Sequence, residues 1–288
     1  MASLTGHRFT FVVLKSSFMS RPMLRHNRWL FLIVLGALLA GCSSEETVQP
    51  LSAEQRFRLG MSYFQDEDLI EAIEEFKVVT IQFGGTQWAD DAQYYMAEAR
   101  FLREEYILAA YEYDVLTRTM PTSEYVRMAR FRRATCYDLS SPGIHLDQEN
   151  TRKAIDEYQN FLEYHATDSL AVVADRRIRE LTAKLAEKEF NNGLIYLKMS
   201  YNKAATYYFD LVLEKYHDTP FAEPAHVRKA EALINRKRYD EAIPELTRFL
   251  ERYPSSGLKA EAEQLLQSAR EGQQTKPAAT PSVRQGAS

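Results

Sequence analysis

The sequence has only two cysteines and no excess of positive charge. Cys42 and Cys136 cannot form a disulfide framework if Cys42 is modified, so we expect Cys136 to be a small buried apolar residue. Five of the 36 basic residues lie in residues 1–41, which contain no acidic residue. The rest of the chain therefore has 31 basic and 40 acidic residues, a net charge of −9. A nucleic-acid interface needs clustered positive charge, so we predict no nucleic-acid partner.

The motifs that carry catalysis or cofactor binding are also missing. The sequence has no glycine-rich phosphate loop and no Cys-x-x-Cys pair, and its histidines do not show metal-ligand spacing. Two acidic runs, residues 66–68 and 90–91, fall at predicted turns and helix starts, where they favour the helix dipole and need no metal. We therefore predict a protein that is not an enzyme and that holds no cofactor and no metal.

Long apolar runs are absent except for one, residues 29–40, which follows Arg25 and Arg28. Twelve residues are too few for a spanning helix, which needs roughly 20, and the pattern is that of a secretory signal peptide. The run ends at Leu39-Ala40-Gly41-Cys42, which resembles the bacterial lipobox, where the thiol is diacylated and the peptide is cut before the cysteine. The alternative is an ordinary signal peptide with a chance cysteine at its edge.

The lipobox interpretation predicts where the protein resides. Residues 1–41 would be the signal peptide, with translation starting at Met23, because 22 residues before a complete signal peptide are unusual. Cys42 would carry several acyl chains, which give a stable attachment because each buried CH2 contributes about 0.8 kcal/mol. The residue after the cysteine is Ser43 and not Asp, which by the sorting rule of well-studied Gram-negative lipoproteins indicates the outer membrane. Residues 42–51 would be a lipidated tether, and residues 43–51 reach at most roughly 30 Å when extended.

Internal repeats occupy most of the remaining chain. From Gly60, a second small residue follows after 12 positions, large apolar residues after 16 and 19, and a turn residue after 24. The same pattern starts at four further small residues: Ala97, Ala134, Gly193 and Ala230. The repeat at Ala134 has eight extra residues, most simply placed at 140–147, which are rich in turn-forming residues.

This spacing predicts an all-α solenoid of five pairs of antiparallel helices, similar to tetratricopeptide repeats (TPR). Repeats 1–3 would occupy residues 52–167, and a long helix followed by repeats 4–5 would occupy residues 168–270. The long helix is expected because 51 residues separate Ala154 from Ala205, 14 more than the usual 37. The signature tryptophan of the first helix is missing from every repeat. Residues 271–288 are polar and should be a disordered tail.

An aromatic ladder stands three residues before the first small position of the repeats. Its members are Phe57, Tyr94, Phe131, Phe190 and Val227. In a TPR array the first helices line the concave groove, so these residues could receive an extended peptide. The alternative, which we favour, is that they replace the tryptophan as packing between helices. Phe64 and Phe101, four residues after the small position, extend the candidate peptide groove in repeats 1 and 2, which comprises Phe57, Phe64, Tyr94, Phe101 and Phe131.

The chain resembles the BamD family, also called ComL or YfiO, over residues 44–270. The resemblance rests on Tyr63 with residues 72–76, and on Asp147-Gln148-x-x-Thr151 just before a helix of the third repeat. His165-Ala166 and Tyr216-His217 stand where the family usually ends a repeat with Tyr-Pro.

The resemblance implies a scaffold lipoprotein of the outer-membrane β-barrel assembly (BAM) complex, anchored to the outer membrane and facing the periplasm. Its C-terminal half would bind the POTRA region of a BamA-like barrel protein, alongside other BAM lipoproteins. Its N-terminal half would receive unfolded β-barrel substrates. The alternative is a TPR lipoprotein that regulates peptidoglycan synthesis or cell division. Such proteins often carry an N-terminal coiled coil, for which residues 43–51 leave no room.

Overall fold

The computed structural model describes residues 50–275, a range that contains eleven helices and no strand. The helices are α1 (Ala53–Gln65), α2 (Leu69–Gln82), α3 (Ala89–Leu102), α4 (Tyr106–Thr119), α5 (Val126–Leu139), α6 (Glu149–His165), α7 (Ala171–Lys198), α8 (Asn202–Lys215), α9 (Ala222–Asn235), α10 (Tyr239–Arg252) and α11 (Lys259–Thr275). Each helix packs against the next along the chain. The predicted all-α solenoid of helix pairs, with a long joining helix, is confirmed. The predicted signal peptide, Cys42 and residues 276–288 lie outside the described residues.

The first helix begins where its sequence provides a cap. The Ser52 hydroxyl accepts a hydrogen bond from the backbone N–H of Gln55 at 3.3 Å, and the Gln55 side chain accepts one from the N–H of Ser52 at 2.9 Å. This reciprocal capping box satisfies two backbone donors that a helix start leaves unpaired. The solenoid therefore starts at a defined residue.

The small residues of the repeat allow an aromatic ring of the second helix to approach the first. A Cβ added at Gly60 would lie 2.7 Å from the ring of Phe76, and one added at Gly193 would lie 2.5 Å from the ring of Phe209. Both rings are fully buried and cannot move away freely. The distances explain why a small residue recurs 16 positions before a large one.

We expect Gly193→Ala to lower the free energy of unfolding by about 1–2 kcal/mol. Overpacking against Phe209 costs about 1–3 kcal/mol, and the better helix propensity of alanine returns only part of it. Gly143→Ala, in the loop between α5 and α6, is the control for an alanine without overpacking, because a Cβ there meets no atom within 4 Å. Urea denaturation measures both variants, and equal stability of Gly193→Ala and the parent protein would contradict this packing.

Polar pairs stand in place of the missing tryptophan. Arg56 on α1 donates to Glu75 on α2 at 2.8 Å, and Gln93 on α3 donates to Glu112 on α4 at 2.9 Å. In the last repeat the pair is His226 with Glu245. The partners are 19 residues apart in all three repeats. In these three repeats the two helices are therefore joined by a hydrogen-bonded pair where a typical TPR has an indole.

The long helix α7 belongs to two repeats. Its N-terminal part packs Ala174 and Leu181 into the same core as Phe161 of α6, and its C-terminal part packs Phe190 against Phe209 of α8. This double role explains the extra turns that the sequence spacing predicted.

An ion pair also fixes α7 against the third repeat. The buried carboxylate of Asp138 accepts two hydrogen bonds from the guanidinium of Arg177, both at 2.7 Å. Tyr158 donates a further hydrogen bond to Asp138 at 3.1 Å. The carboxylate is therefore fully paired, as a buried charge requires.

The predicted first residue of the disordered tail, residue 271, is wrong. Helix α11 continues to Thr275, so residues 271–275 are helical. Gly272 lies so close to Tyr239, at the start of α10, that an added Cβ would meet the ring at 2.5 Å. This tertiary contact stabilises the last turn of α11 despite its polar sequence.

Candidate functional site

The predicted aromatic ladder lies at the boundaries between neighbouring repeats. Phe57 stacks on Trp88 with ring centroids 5.3 Å apart, and Tyr94 stacks on Tyr125 at 4.3 Å. In both cases the partner directly precedes the first helix of the next repeat. The ladder rings are only partly buried, but their inward surfaces serve the contact between repeats.

The residues that pack against the ladder residues were not predicted from the sequence. Each is a large apolar residue immediately before the first helix of a repeat or before α11: Trp88, Tyr125, Leu170, Phe221 and Leu258. Each follows its ladder residue by 31 positions, or by 39 in the third repeat because of the eight-residue insertion. This regular spacing is a signal that could have been found from the sequence alone.

Tyr95 brings three of the candidate groove residues together. Its ring centroid lies 6.2 Å from that of Phe57, 5.5 Å from that of Phe64 and 5.6 Å from that of Tyr94. We call Phe57, Phe64, Tyr94 and Tyr95 the repeat 1–2 aromatic cluster. Sequence reasoning missed Tyr95, although the tyrosine doublet at 94–95 indicates that two faces of α3 carry aromatic rings.

Phe101 and Phe131 lie outside this cluster. Phe101 packs against the buried core of the second repeat, and the guanidinium carbon of Arg132 lies 4.7 Å above its ring centroid. Arg132 also pairs with the carboxylate of Glu98 at 3.1 Å. Phe131 belongs to the core of the third repeat. The five candidate residues therefore form a row along successive first helices and not one pocket.

The polar groups beside this row are neutral phenols held by carboxylates. Tyr113 donates to Glu98 at 2.6 Å, and Tyr125 donates to Asp91 at 2.7 Å. Burial raises the pKa of both phenols well above the ordinary value, and the neighbouring carboxylates raise it further. Burial likewise raises the pKa of the Cys136 thiol to about 12, and this side chain is fully buried, as predicted. Because both phenol O–H groups already donate to carboxylates of the protein, what the row offers to a ligand is its aromatic faces.

Residues 50–275 contain neither a metal-binding cluster nor a membrane-spanning helix. Among residues 50–275, no three or more His, Cys, Asp or Glu side chains are grouped so that they could hold a metal ion. None of the helices in that range has the length and the apolar character needed to cross a membrane.

The motif Asp147-Gln148-x-x-Thr151 holds the inserted loop of the third repeat in shape. Gln148 is buried and donates to the backbone carbonyls of Gly143 at 2.9 Å and Leu146 at 3.0 Å. Thr151 is buried as well and donates to the side-chain oxygen of Gln148 at 2.7 Å. The motif is thus an internal brace for the loop.

The long helix fixes the same loop from the other side. Lys184 donates to the hydroxyl of Ser141 at 2.7 Å, and Lys188 donates to the carbonyl of Leu146 at 2.6 Å. Burial lowers the pKa of Lys184. The inserted loop is therefore bonded to α7, the helix that joins the N-terminal repeats to the C-terminal repeats.

Known proteins resemble this chain in sequence over most of its length. Residues 50–238 match the family model described as "YfiO: Outer membrane lipoprotein", and residues 225–256 match a tetratricopeptide repeat model. The outer membrane protein assembly factor BamD of Rickettsia prowazekii is 24% identical over 229 residues, which cover 78% of this chain and 90% of that protein. BamD of Caulobacter vibrioides is 23% identical over 215 residues, covering 73% and 70%.

Among solved structures, the TPR2AB domain of yeast Sti1 in a pHSP90 complex is similar to this chain with a TM-score of 0.36. It is 18% identical, and the match covers 76% of this chain and 98% of that one.

Proposed function

Because the chain belongs to the YfiO family of outer membrane lipoproteins, we propose that it is a non-enzymatic scaffold in the assembly of outer-membrane β-barrel proteins. The observation that carries the proposal is the family match over residues 50–238, which includes the braced loop of the third repeat. The names of the relatives from Rickettsia prowazekii and Caulobacter vibrioides support the same role.

In this proposal the N-terminal repeats receive unfolded β-barrel substrates. The repeat 1–2 aromatic cluster presents partly exposed rings along the first helices, and Phe101 and Phe131 continue the row. An extended segment with alternating apolar side chains can place those side chains against such rings.

The C-terminal repeats would bind the POTRA region of a BamA-like barrel protein, and other lipoproteins of the complex would join them. The long helix supports this division of labour, because α7 packs in the core of the third repeat and in that of the fourth, and the inserted loop is bonded to it. A scaffold needs such a connection to present a substrate to a partner held elsewhere on the same chain.

The proposed lipid anchor at Cys42 gives a direct prediction. We expect Cys42→Ser to abolish acylation and to remove the protein from the outer-membrane fraction, because one polar residue replaces several buried acyl chains. Separating the membranes on a sucrose gradient and blotting the fractions measures the change. Ser43→Ala is the control, and an unchanged distribution of Cys42→Ser would contradict the anchor.

A titration tests the substrate role. A fluorescent peptide from the C-terminal strand of an outer-membrane barrel protein should bind the purified protein, and its scrambled version should bind at least tenfold more weakly. Equal affinity for the two peptides would contradict recognition of the segment.

A further inference from the structure

Four tyrosines form a continuous aromatic surface where α7 ends and α8 begins: Tyr196, Tyr201, Tyr207 and Tyr208, which we call the tyrosine patch. The rings of Tyr196 and Tyr208 are parallel, with centroids 5.3 Å apart, and Tyr201 meets Tyr196 edge-on at 6.4 Å. Tyr207 meets Tyr208 edge-on at 5.4 Å. The four rings are therefore joined in one chain of contacts.

Much of this surface is open to solvent. Tyr201 is 58% exposed and Tyr207 is 62% exposed. The rings surround an open cavity of about 930 Å³. Packing within the repeat does not use these outward faces. Exposed aromatic and apolar side chains grouped in this way are typical of protein contacts, where tyrosines often dominate the binding energy.

Contacts between side chains already join the elements that form the cavity wall. The side-chain amide of Asn235, at the end of α9, donates to the side-chain oxygen of Asn202, at the start of α8, at 3.3 Å. Burial raises the pKa of the Tyr208 phenol, and the neighbouring Tyr196 raises it further. A pre-formed surface loses little conformational entropy on binding.

The charges on the cavity wall have one sign. Apart from the tyrosines, its ionisable lining residues are Lys203 and Arg236, both cations. The carboxylate that affects the Tyr208 phenol belongs to Glu189, which does not line the cavity. A partner with carboxylates beside apolar side chains therefore complements both the rings and the cations.

We propose that the tyrosine patch binds an acidic segment of a protein partner, one in which Asp or Glu alternates with aromatic or large aliphatic residues. The partner's rings stack on Tyr201 and Tyr207, and its carboxylates pair with Lys203 and Arg236. The inference deepens the proposed function, on which it rests for the idea that the C-terminal half contacts a protein. It adds the surface and the chemistry of that contact.

The experiment uses the purified, detergent-solubilised protein and two synthetic peptides. One ten-residue peptide alternates Glu with Phe and Leu, and the other has Lys in place of every Glu. Isothermal titration measures the affinity of both peptides. We expect the acidic peptide to bind at least tenfold more tightly than the basic one.

Variants then locate the binding. Tyr201→Ala with Tyr207→Ala should weaken the acidic peptide at least tenfold, and Lys203→Glu with Arg236→Glu should reverse the preference between the peptides. Tyr111→Ala is the matched control, because Tyr111 is 60% exposed on α4 in the N-terminal half. All variants should keep the parent's circular dichroism, since the substituted tyrosines are mostly exposed.

Three outcomes would overturn the proposal. They are equal affinity for the two peptides, full binding by the double tyrosine variant, and equal loss in Tyr111→Ala. Failure of the proposed function would be seen in a different experiment, co-purification from the envelope. If the protein binds the acidic peptide at the patch but does not co-purify with a POTRA-bearing barrel protein, the binding site stands and only the proposed function fails.

Discussion

Glu245→Gln should lower the free energy of unfolding by about 3 kcal/mol at neutral pH. Glu245 is 2% exposed, so its charge depends on protein partners rather than on water. It accepts hydrogen bonds from Lys229 and Arg248, both at 2.9 Å, and from His226. Lys229 in turn pairs with Asp210 of α8 at 2.7 Å, so the network joins α8, α9 and α10. Removing one charge from a buried pair typically costs about 3–5 kcal/mol.

The same network predicts how stability depends on pH. Burial alone would raise the pKa of Glu245, but the hydrogen bonds from His226 and Lys229 outweigh it and lower the pKa from 4.5 to about 2. Because the folded pKa is depressed, the stabilisation is fully present above about pH 4.5 and is lost as the pH falls toward 2. A shift of this size corresponds to about 3 kcal/mol. The difference between parent and Glu245→Gln should therefore shrink over that range.

Urea denaturation at pH 7 and pH 3 measures both effects. Glu251→Gln is the matched control on the same helix, because Glu251 is exposed. We expect this control to change the free energy of unfolding by less than about 0.5 kcal/mol, as most surface substitutions do. A pH-independent loss in Glu245→Gln, or an equal loss in the control, would contradict the role of the network.

Phe64→Glu should weaken binding of a barrel-protein C-terminal peptide at least tenfold. The ring of Phe64 meets Tyr95 edge-on and is only partly buried, so its outer face is available to a bound segment. A carboxylate at this position would face apolar side chains of the peptide without a partner, which is unfavourable once water is excluded. Phe101→Glu should act in the same direction, because it adds a second carboxylate next to Glu98.

Fluorescence anisotropy measures the affinity, and circular dichroism measures the fold. Phe64→Leu should keep most of the affinity, because it retains an apolar side chain. Ile81→Glu is the control on another surface, since Ile81 is 71% exposed on α2 and is not part of the row. If Phe64→Glu lost helix content in proportion to affinity, Phe64 would be a core residue and the groove would lose its main support.

The repeat architecture could be predicted because its cause is local. The steric fit of Gly60 to Phe76 and of Gly193 to Phe209 imposes a fixed spacing, and that spacing is visible in the sequence. The eight extra residues of the third repeat were also visible as a shift of the spacing. The buried state of Cys136 followed from its position on a helix within the repeat.

Other features depend on contacts between distant residues. Tyr95 lies at the centre of the aromatic cluster because rings from α1 and α2 contact its own ring. The last turn of α11 is stabilised by Tyr239, which no property of residues 271–275 reveals. The pairs at a spacing of 19 residues join one helix to the next, so their residues look like ordinary surface charges in the sequence. The tyrosine patch was not predicted from the sequence, because tyrosines at helical spacing usually belong to a core.

Co-purification from the envelope tests the central claim most directly. The full chain carrying a C-terminal affinity tag is extracted in mild detergent, and the proteins that remain bound after washing are identified by mass spectrometry. The account predicts recovery of an outer-membrane barrel protein with POTRA domains, at a level close to that of the tagged chain. Recovery of a cell-wall synthase without such a barrel protein would contradict the account and would support a scaffold for peptidoglycan synthesis.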